Sequence, residues 1–193
     1  MNSVIASDLF RHFGLKGTKG FLKGLSYPGF RYTYILRKVS RHHKGSLSEF
    51  FYKLLLRRYR YKYGFEINPD ANIGEGFYLT SHCSPVIIGP IKMGKNCNVS
   101  HSVTIGRGIA GERKGRPTLG DYVWIGPGSI IVGKITIGND VLIAPNTFVN
   151  FDVPDHSIVI GSPGKIITKE NPTKDYIHFT VQSIPENIDA PSS

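Results

Sequence analysis

No run of about eighteen consecutive apolar residues occurs in the chain, which removes a membrane-spanning helix from consideration. The opening MNSVIASDLFRHFG also lacks the charged-then-apolar order of a secretory signal, so the expectation is a cytoplasmic protein. Cysteine is scarce: Cys83 and Cys97 are the only two, and without an export signal they are expected to be free thiols. Zinc-finger spacing and a helix-turn-helix pattern are both missing. The formal net charge of +10 suits nucleic acid, an anionic membrane surface or a negatively charged small ligand, but no nucleic-acid reading motif accompanies it, and nucleic acid is not expected as a partner. No metal is expected either, because His82, Cys83 and His101 lack a compelling ligand spacing.

Glycine and proline, by contrast, are plentiful, at 22 and 12 of 193 residues, which points to many tight turns and short strands in one sizeable domain with a small appendage. Three regions follow: residues 1–65, basic and in part helical; residues 66–168, periodic; and a tail, 169–193. In the first, Ser46 and Glu49 have the spacing of a capping box, and Phe50, Leu54, Leu55 and Tyr59 continue an apolar stripe, predicting a helix over about 48–60. Its other face carries Lys53, Arg57, Arg58 and Arg60, which suits water or, as a peripheral contact, anionic lipid. The segment ASDLFRHFG suggests a shorter helix, and Gly14, Gly17, Gly20 and Gly24 argue against a long extension of it. In the tail, the YIHFTV run is expected to pack and the residues beyond it to be loose.

From Ile67 onwards aliphatic residues or methionine recur every six positions: Ile67, Ile73 and Leu79; Ile87, Met93, Val99 and Ile105; then Leu119, Ile125, Ile131, Ile137, Ile143 and Val149. Four places after many of them stands a second small or apolar residue, as at Cys97, Val103, Val123, Val141 and Thr147. A period of six is neither 2 nor 3.6, so neither a hairpin sheet nor an amphipathic helix generates it. A short strand ending in a turn every six residues closes a triangular coil after three repeats, and stacked coils form a β-helix with the aliphatics inside. The fold class expected is therefore all-β, a parallel β-helix with a short helical N-terminal region.

Two interruptions break the period. Leu79 to Ile87 is eight residues, around LTSHCSPV, and Ile105 to Leu119 is fourteen, containing GERKGRPT. Insertions in such solenoids map to loops, often on the binding face.

The run from Glu66 to Lys165 resembles the serine O-acetyltransferase branch of the hexapeptide-repeat acyltransferases, and looks closer still to short members associated with bacterial surface-polysaccharide genes. The residues carrying the resemblance are HCSPVIIG, SVTIGRG, GRPTLGDYVWIGPGSIIVG and VPDHSIVIGSPGKI. It implies a left-handed β-helix, a homotrimer, acetyl-CoA as donor in the groove between neighbouring prisms, and a catalytic histidine at His82 paired with an acidic residue at Glu66. It also implies a cofactor-binding surface for which Gly126, Ala144, Lys165 and Lys169 are the candidates. On that reading His82 removes the proton of an acceptor hydroxyl, which attacks the thioester directly. His101 is the rival base, a substrate or interface hydrogen-bonding group, or a surface residue.

Two departures bear on the acceptor. Ser81 stands where the family has an aspartate, and Arg116 where it has a second histidine. Arg113 and Arg116 suit a carboxylate, CoA phosphates or water, but no carboxylate for an ammonium group is evident beside Ser81. The expectation is therefore an O-acetyltransferase acting on a sugar or polysaccharide precursor, with serine O-acetyltransferase as the alternative and a noncatalytic solenoid as the second. Trp124 is expected to face outward, as an intersubunit or adenine contact.

Overall fold

A computed structural model describes residues 3–40 and 45–183. Because each six-residue unit is too short to fold back on itself as a hairpin, it pairs with the equivalent unit one coil further on, and all the strand pairs from the first coil to the last are parallel. Three sheets result. The first contains β1 (Phe65–Ile67), β4 (Val86–Ile88), β7 (Thr104–Gly106), β10 (Ile130–Val132) and β13 (Phe148–Val149). The second contains β2 (Asn72–Ile73), β5 (Lys92–Met93), β8 (Thr118–Leu119) and β11 (Thr136–Ile137). The third contains β3 (Tyr78–Leu79), β6 (Asn98–Val99), β9 (Val123–Ile125), β12 (Val141–Ile143) and β14 (Ser157–Ile160), closed at its end by the antiparallel β15 (Lys165–Thr168).

The register carries the two interruptions. Leu79 lies against Val99, Val99 against Ile125 and Ile125 against Ile143. The last step is one regular coil; the first is two residues longer and the second eight longer, and the excess is looped out while the strands stay in phase. Inside, Leu79, Val99, Ile125, Ile143 and Val159 form one buried ladder, with equivalent ladders on the other two sheets. The second inward set is also as expected, with Cys97, Val103, Val123, Val141 and Thr147 buried. Ile87 departs from the expected phase: Val86 and Ile88 point inward and Ile87 is exposed, since the looped residues before it turn the strand by one position. The glycines following the aliphatics serve close approach. A Cβ on Gly94 would lie 2.5 Å from the carbonyl oxygen of Gly120 in the next coil.

The N-terminal region is more helical than expected. Its elements are α1 (Ser3–Phe10), α2 (Gly17–Gly24), α3 (Pro28–Val39) and α4 (Leu47–Tyr63). The expected capping box is present, with the Ser46 hydroxyl accepting from Glu49 N–H at 3.1 Å, and Gly64 ends α4 in the left-handed conformation. The packing face differs. Leu56 and Tyr63, with Tyr52, Leu55 and Tyr59 beside them, meet the core, whereas Phe50 and Leu54 are exposed. The sequence stripe did not include α3, which packs against α4 on the side that carries Leu56 and Tyr63 and so sets which face is buried. The glycines do not prevent α2; Gly20 and Gly24 are buried there, and Gly24 packs on Leu9 and Phe30.

These helices cap the open end of the solenoid. An uncovered first coil would expose a row of unpaired backbone groups. Arg37 donates to the carbonyls of Ile73 and Gly74 at 2.5 and 2.6 Å, Arg11 to Gly76 at 3.0 Å, and the Tyr32 hydroxyl accepts from Ile67 N–H at 3.3 Å. Arg37 is held in turn by Asp8, which also accepts from Phe77 N–H. Part of the basic excess is thus structural.

At the same end His12 is fully buried among Tyr27, Phe30 and Tyr78, and neither ring nitrogen has a hydrogen-bond partner among the described residues. Burial, with a smaller effect from the Arg11 charge, pushes its pKa down to about 3. An unfolded histidine titrates near 6.5, so between these values the unfolded chain binds the extra proton. The contribution is complete above pH 6.5 and is lost as pH falls, at about 1.4 kcal/mol per unit. By pH 5 the folded chain is expected to lose about 2 kcal/mol through His12. Unfolding curves at pH 7 and 5 check this: His12→Phe is expected to lose less stability than the native chain by that amount.

The tail packs as expected. Ile177 is buried, the Phe179 ring meets Phe10 at 5.7 Å, and Gln182 accepts from Asn96 at 3.0 Å. The expected loosening falls on residues 184–193, outside the described residues.

Candidate active site

One edge of the prism, where the chain leaves the third sheet for the first, gathers most of the expected site. Register places Thr80, Ser100, Gly126, Ala144 and Ile160 one above another there, each directly after an inward residue of the third sheet. The first interruption lies on this edge, and its extra length carries His82 outward to an exposed position. One coil on, His101 occupies the same turn, half-buried, and its carbonyl accepts from Gly128 N–H at 3.1 Å. The two imidazole rings lie 5.8 Å apart between centroids, inclined at 58°. Ser84 ties the turns together, its hydroxyl accepting from Ser102 N–H at 3.3 Å.

His82 is oriented by its own loop. The buried Thr80 hydroxyl lies 3.3 Å from Nδ1 and accepts from His82 N–H at 3.3 Å. With Nδ1 facing Thr80, Nε2 is the nitrogen directed away from the loop. Thr80 is the site residue that the sequence reading missed. The available signal was a hydroxyl two residues before the histidine, the spacing of a local side-chain to backbone turn.

Glu66 is not beside His82 within the chain. It sits on β1 in register with Ile87, where Arg60 of α4 takes its carboxylate in an ion pair. Their sequence separation, close to one coil, suggested contact; the outward bulge of the first interruption and the competing guanidinium explain why there is none. The Ser81 hydroxyl is buried and without a hydrogen-bond partner among the described residues.

The eight-residue excursion is pinched at its base by reciprocal hydrogen bonds between Gly108 and Gly115, at 2.8 and 3.1 Å. Arg113 and Arg116 are exposed on it. Arg113 reaches Asp152 at 3.6 Å and its carbonyl accepts from Lys134 N–H, so it leans along the first sheet toward later coils. Gly126 has a structural reason to be glycine, because a Cβ would lie 2.7 Å from Pro145 N. Ala144 stacks below it and its carbonyl accepts from the Ser129 hydroxyl at 2.9 Å. Lys165 pairs with Ile160 and so lies at the same edge, at the end of the coil stack. Lys169 does not: its N–H donates to the His156 carbonyl at the opposite border of the third sheet. Trp124 faces outward, as expected, and meets the chain's own tail, its ring 4.9 Å from that of Tyr176. Cys83 is exposed and Cys97 buried, and burial pushes the Cys97 thiol up to about 12, which removes it from nucleophilic chemistry.

The arrangement offers an exposed imidazole fixed at one nitrogen by a hydroxyl, a second imidazole beside it, and a continuous edge leading to a lysine. This set can accept a proton from a hydroxyl and return it to a leaving group.

Comparison with known proteins follows the same lines. Residues 116–150 match the bacterial transferase hexapeptide family (six repeats). The chain is 35% identical over 147 residues to a serine acetyltransferase of Helicobacter pylori, which spans 76% of this chain and 85% of that one. A crystal structure of Neisseria gonorrhoeae serine acetyltransferase in complex with serine superposes with a TM-score of 0.69 at 27% identity, over 86% of this chain and 68% of that chain. The Brucella abortus serine acetyltransferase in complex with coenzyme A shares the fold, with a TM-score of 0.72 at 24% identity over 86% of this chain and 67% of the other.

Proposed function

This chain belongs to the serine acetyltransferase family of hexapeptide-repeat transferases, and from that membership we propose that it transfers an acetyl group from acetyl-CoA to the hydroxyl of serine, with His82 as general base. The observation that carries the proposal is the placement of His82, exposed on the looped turn and 5.8 Å from His101, at the edge shared by Gly126, Ala144 and Lys165.

In the tautomer that donates Nδ1–H to Thr80, the Nε2 lone pair of His82 accepts the hydroxyl proton as the serine oxygen bonds to the thioester carbonyl carbon. The tetrahedral intermediate then breaks its carbon–sulfur bond, and the imidazolium returns the proton to the CoA thiolate. Direct transfer needs no acyl-enzyme. His101 lies close enough to bind the acceptor or to hold the ring of His82 in place. On this reading Lys165, at the end of the edge, takes a CoA phosphate. Glu66, paired with Arg60, acts on His82 only through an arrangement between neighbouring subunits, and a homotrimer is part of this reading.

The choice of serine rests on the relatives' activity and on the serine complex of the Neisseria protein. Ser81, in the place of the expected aspartate, is the feature that points to a sugar hydroxyl, but its own hydroxyl is buried. Thiol release from acetyl-CoA, measured against serine and a set of nucleotide sugars and polysaccharide fragments, decides between them. Serine is expected to give the highest kcat/KM; release with a sugar and none with serine would refute the proposal.

A further inference from the structure

Helix α4 is apolar on two opposite sides. At about 100° per residue, Leu56 and Tyr63 share the side turned to the core, and Leu47, Phe50, Phe51, Leu54 and Tyr61 fall on the side away from it. Those five are 85%, 66%, 56%, 55% and 74% exposed. A helix that only bridges its own domain and water is polar on its outer side. Here that side carries three aromatic rings and two leucines in contiguous turns, a larger apolar surface than scattered single exposures give.

The charges around this stripe are of one sign. Arg57, Arg58 and Lys62 are exposed and have no acidic partner among the described residues, while Arg60 is taken by Glu66 and Lys53 by Glu49. Glu49 is the only acidic residue in the helix sequence, and it is buried on the inner side. Leu54, Leu55, Arg57, Arg58, Tyr61 and Lys62 border a cavity of about 770 Å³ open along the helix. A second copy of the chain on this face would bring its own arginines and lysine against these, with no carboxylate on the outer side of α4 to balance them. A surface with apolar depth and anionic groups meets both requirements: the aromatic and leucine side chains enter the acyl boundary while the cations meet phosphates.

We propose that the outer face of α4 docks this protein on an anionic phospholipid bilayer, Leu47, Phe50, Phe51, Leu54 and Tyr61 entering the interface and Arg57, Arg58 and Lys62 contacting the headgroups. The binding is peripheral, since no helix among the described residues is long and apolar enough to cross a membrane. It is independent of which acceptor the enzyme uses.

The test is sedimentation of the full chain with vesicles of phosphatidylcholine alone or of phosphatidylcholine mixed with phosphatidylglycerol. The native protein is expected to partition to the mixed vesicles and not to the neutral ones, and to be released by added salt. Arg57→Gln/Arg58→Gln/Lys62→Gln is expected to weaken partitioning by roughly a hundredfold, at about tenfold or less per charge. Phe51→Glu/Leu54→Glu is expected to abolish it. Both variants should keep the native thermal unfolding midpoint, as the altered side chains are exposed. No binding to mixed vesicles, equal binding to both kinds, or native-like binding by the variants would overturn the proposal. So would a fall in oligomer mass for Phe51→Glu/Leu54→Glu together with absent vesicle binding, which would make the face a contact between copies.

Discussion

His82→Ala is expected to lower acetyl transfer by about 10²–10⁴-fold, with the thermal unfolding midpoint unchanged. The activity loss follows from chemistry: a serine hydroxyl is hardly ionised at neutral pH, and without a base the proton must go to water as the bond forms. The unchanged stability follows from placement. His82 is exposed, and the interactions of its side chain among the described residues are with Thr80 of its own loop and the ring of His101, so no core ladder is disturbed. His101→Ala separates the two imidazoles. If His101 only binds the acceptor, its loss is expected to fall mainly on KM, while His82→Ala falls on kcat. A larger kcat loss for His101→Ala than for His82→Ala, measured by thiol release, would transfer the role of base to His101.

Asp8→Ala should give the largest stability change. Its carboxylate is buried, pairs with Arg37 at 2.8 Å and accepts from Phe77 N–H at 2.9 Å. Truncation leaves a guanidinium only 13% exposed without its counter-ion, together with an unpaired backbone donor at the start of the third sheet. Removing one partner of a buried pair costs about 3–5 kcal/mol, which for a chain of this size is roughly 10 °C in Tm. Arg37 also closes the carbonyls of Ile73 and Gly74, so the loss is expected to loosen the first coil rather than α1 alone. Hydrogen exchange at Ile73, Gly74 and Phe77 reads that directly. A Tm change below about 2 °C would show that the helices do not cap the solenoid in this way.

The β-helix was legible because its signal is repeated. Each inward position from Ile67 to Val149 is one instance of the same steric demand, and an error at Ile87 left the others intact. The N-terminal helices carried no such redundancy. α3 begins at Pro28 and lies over β3, where a Cβ on Gly29 would be 2.1 Å from the Leu79 carbonyl oxygen; its existence depends on a surface that local sequence does not display. At the site, His82 was found because a break in a regular pattern is itself a signal. Thr80 was not, since its role comes from a turn two residues long, and nothing in the spacing of Glu66 and His82 announced the ion pair of Glu66 with Arg60. Trp124 was read correctly as outward, but its partner Tyr176 is fifty-two residues away and belongs to the tail.

The central claim is direct transfer from acetyl-CoA to serine at His82. Its most direct test is product analysis of native protein and His82→Ala side by side, incubated with acetyl-CoA and serine, with thiol release and mass spectrometry of the amino acid followed together. The native chain is predicted to form O-acetylserine in equal amount with free CoA, and the variant, folded to the same Tm, to form almost none. O-acetylserine produced by His82→Ala at the native rate would contradict the account.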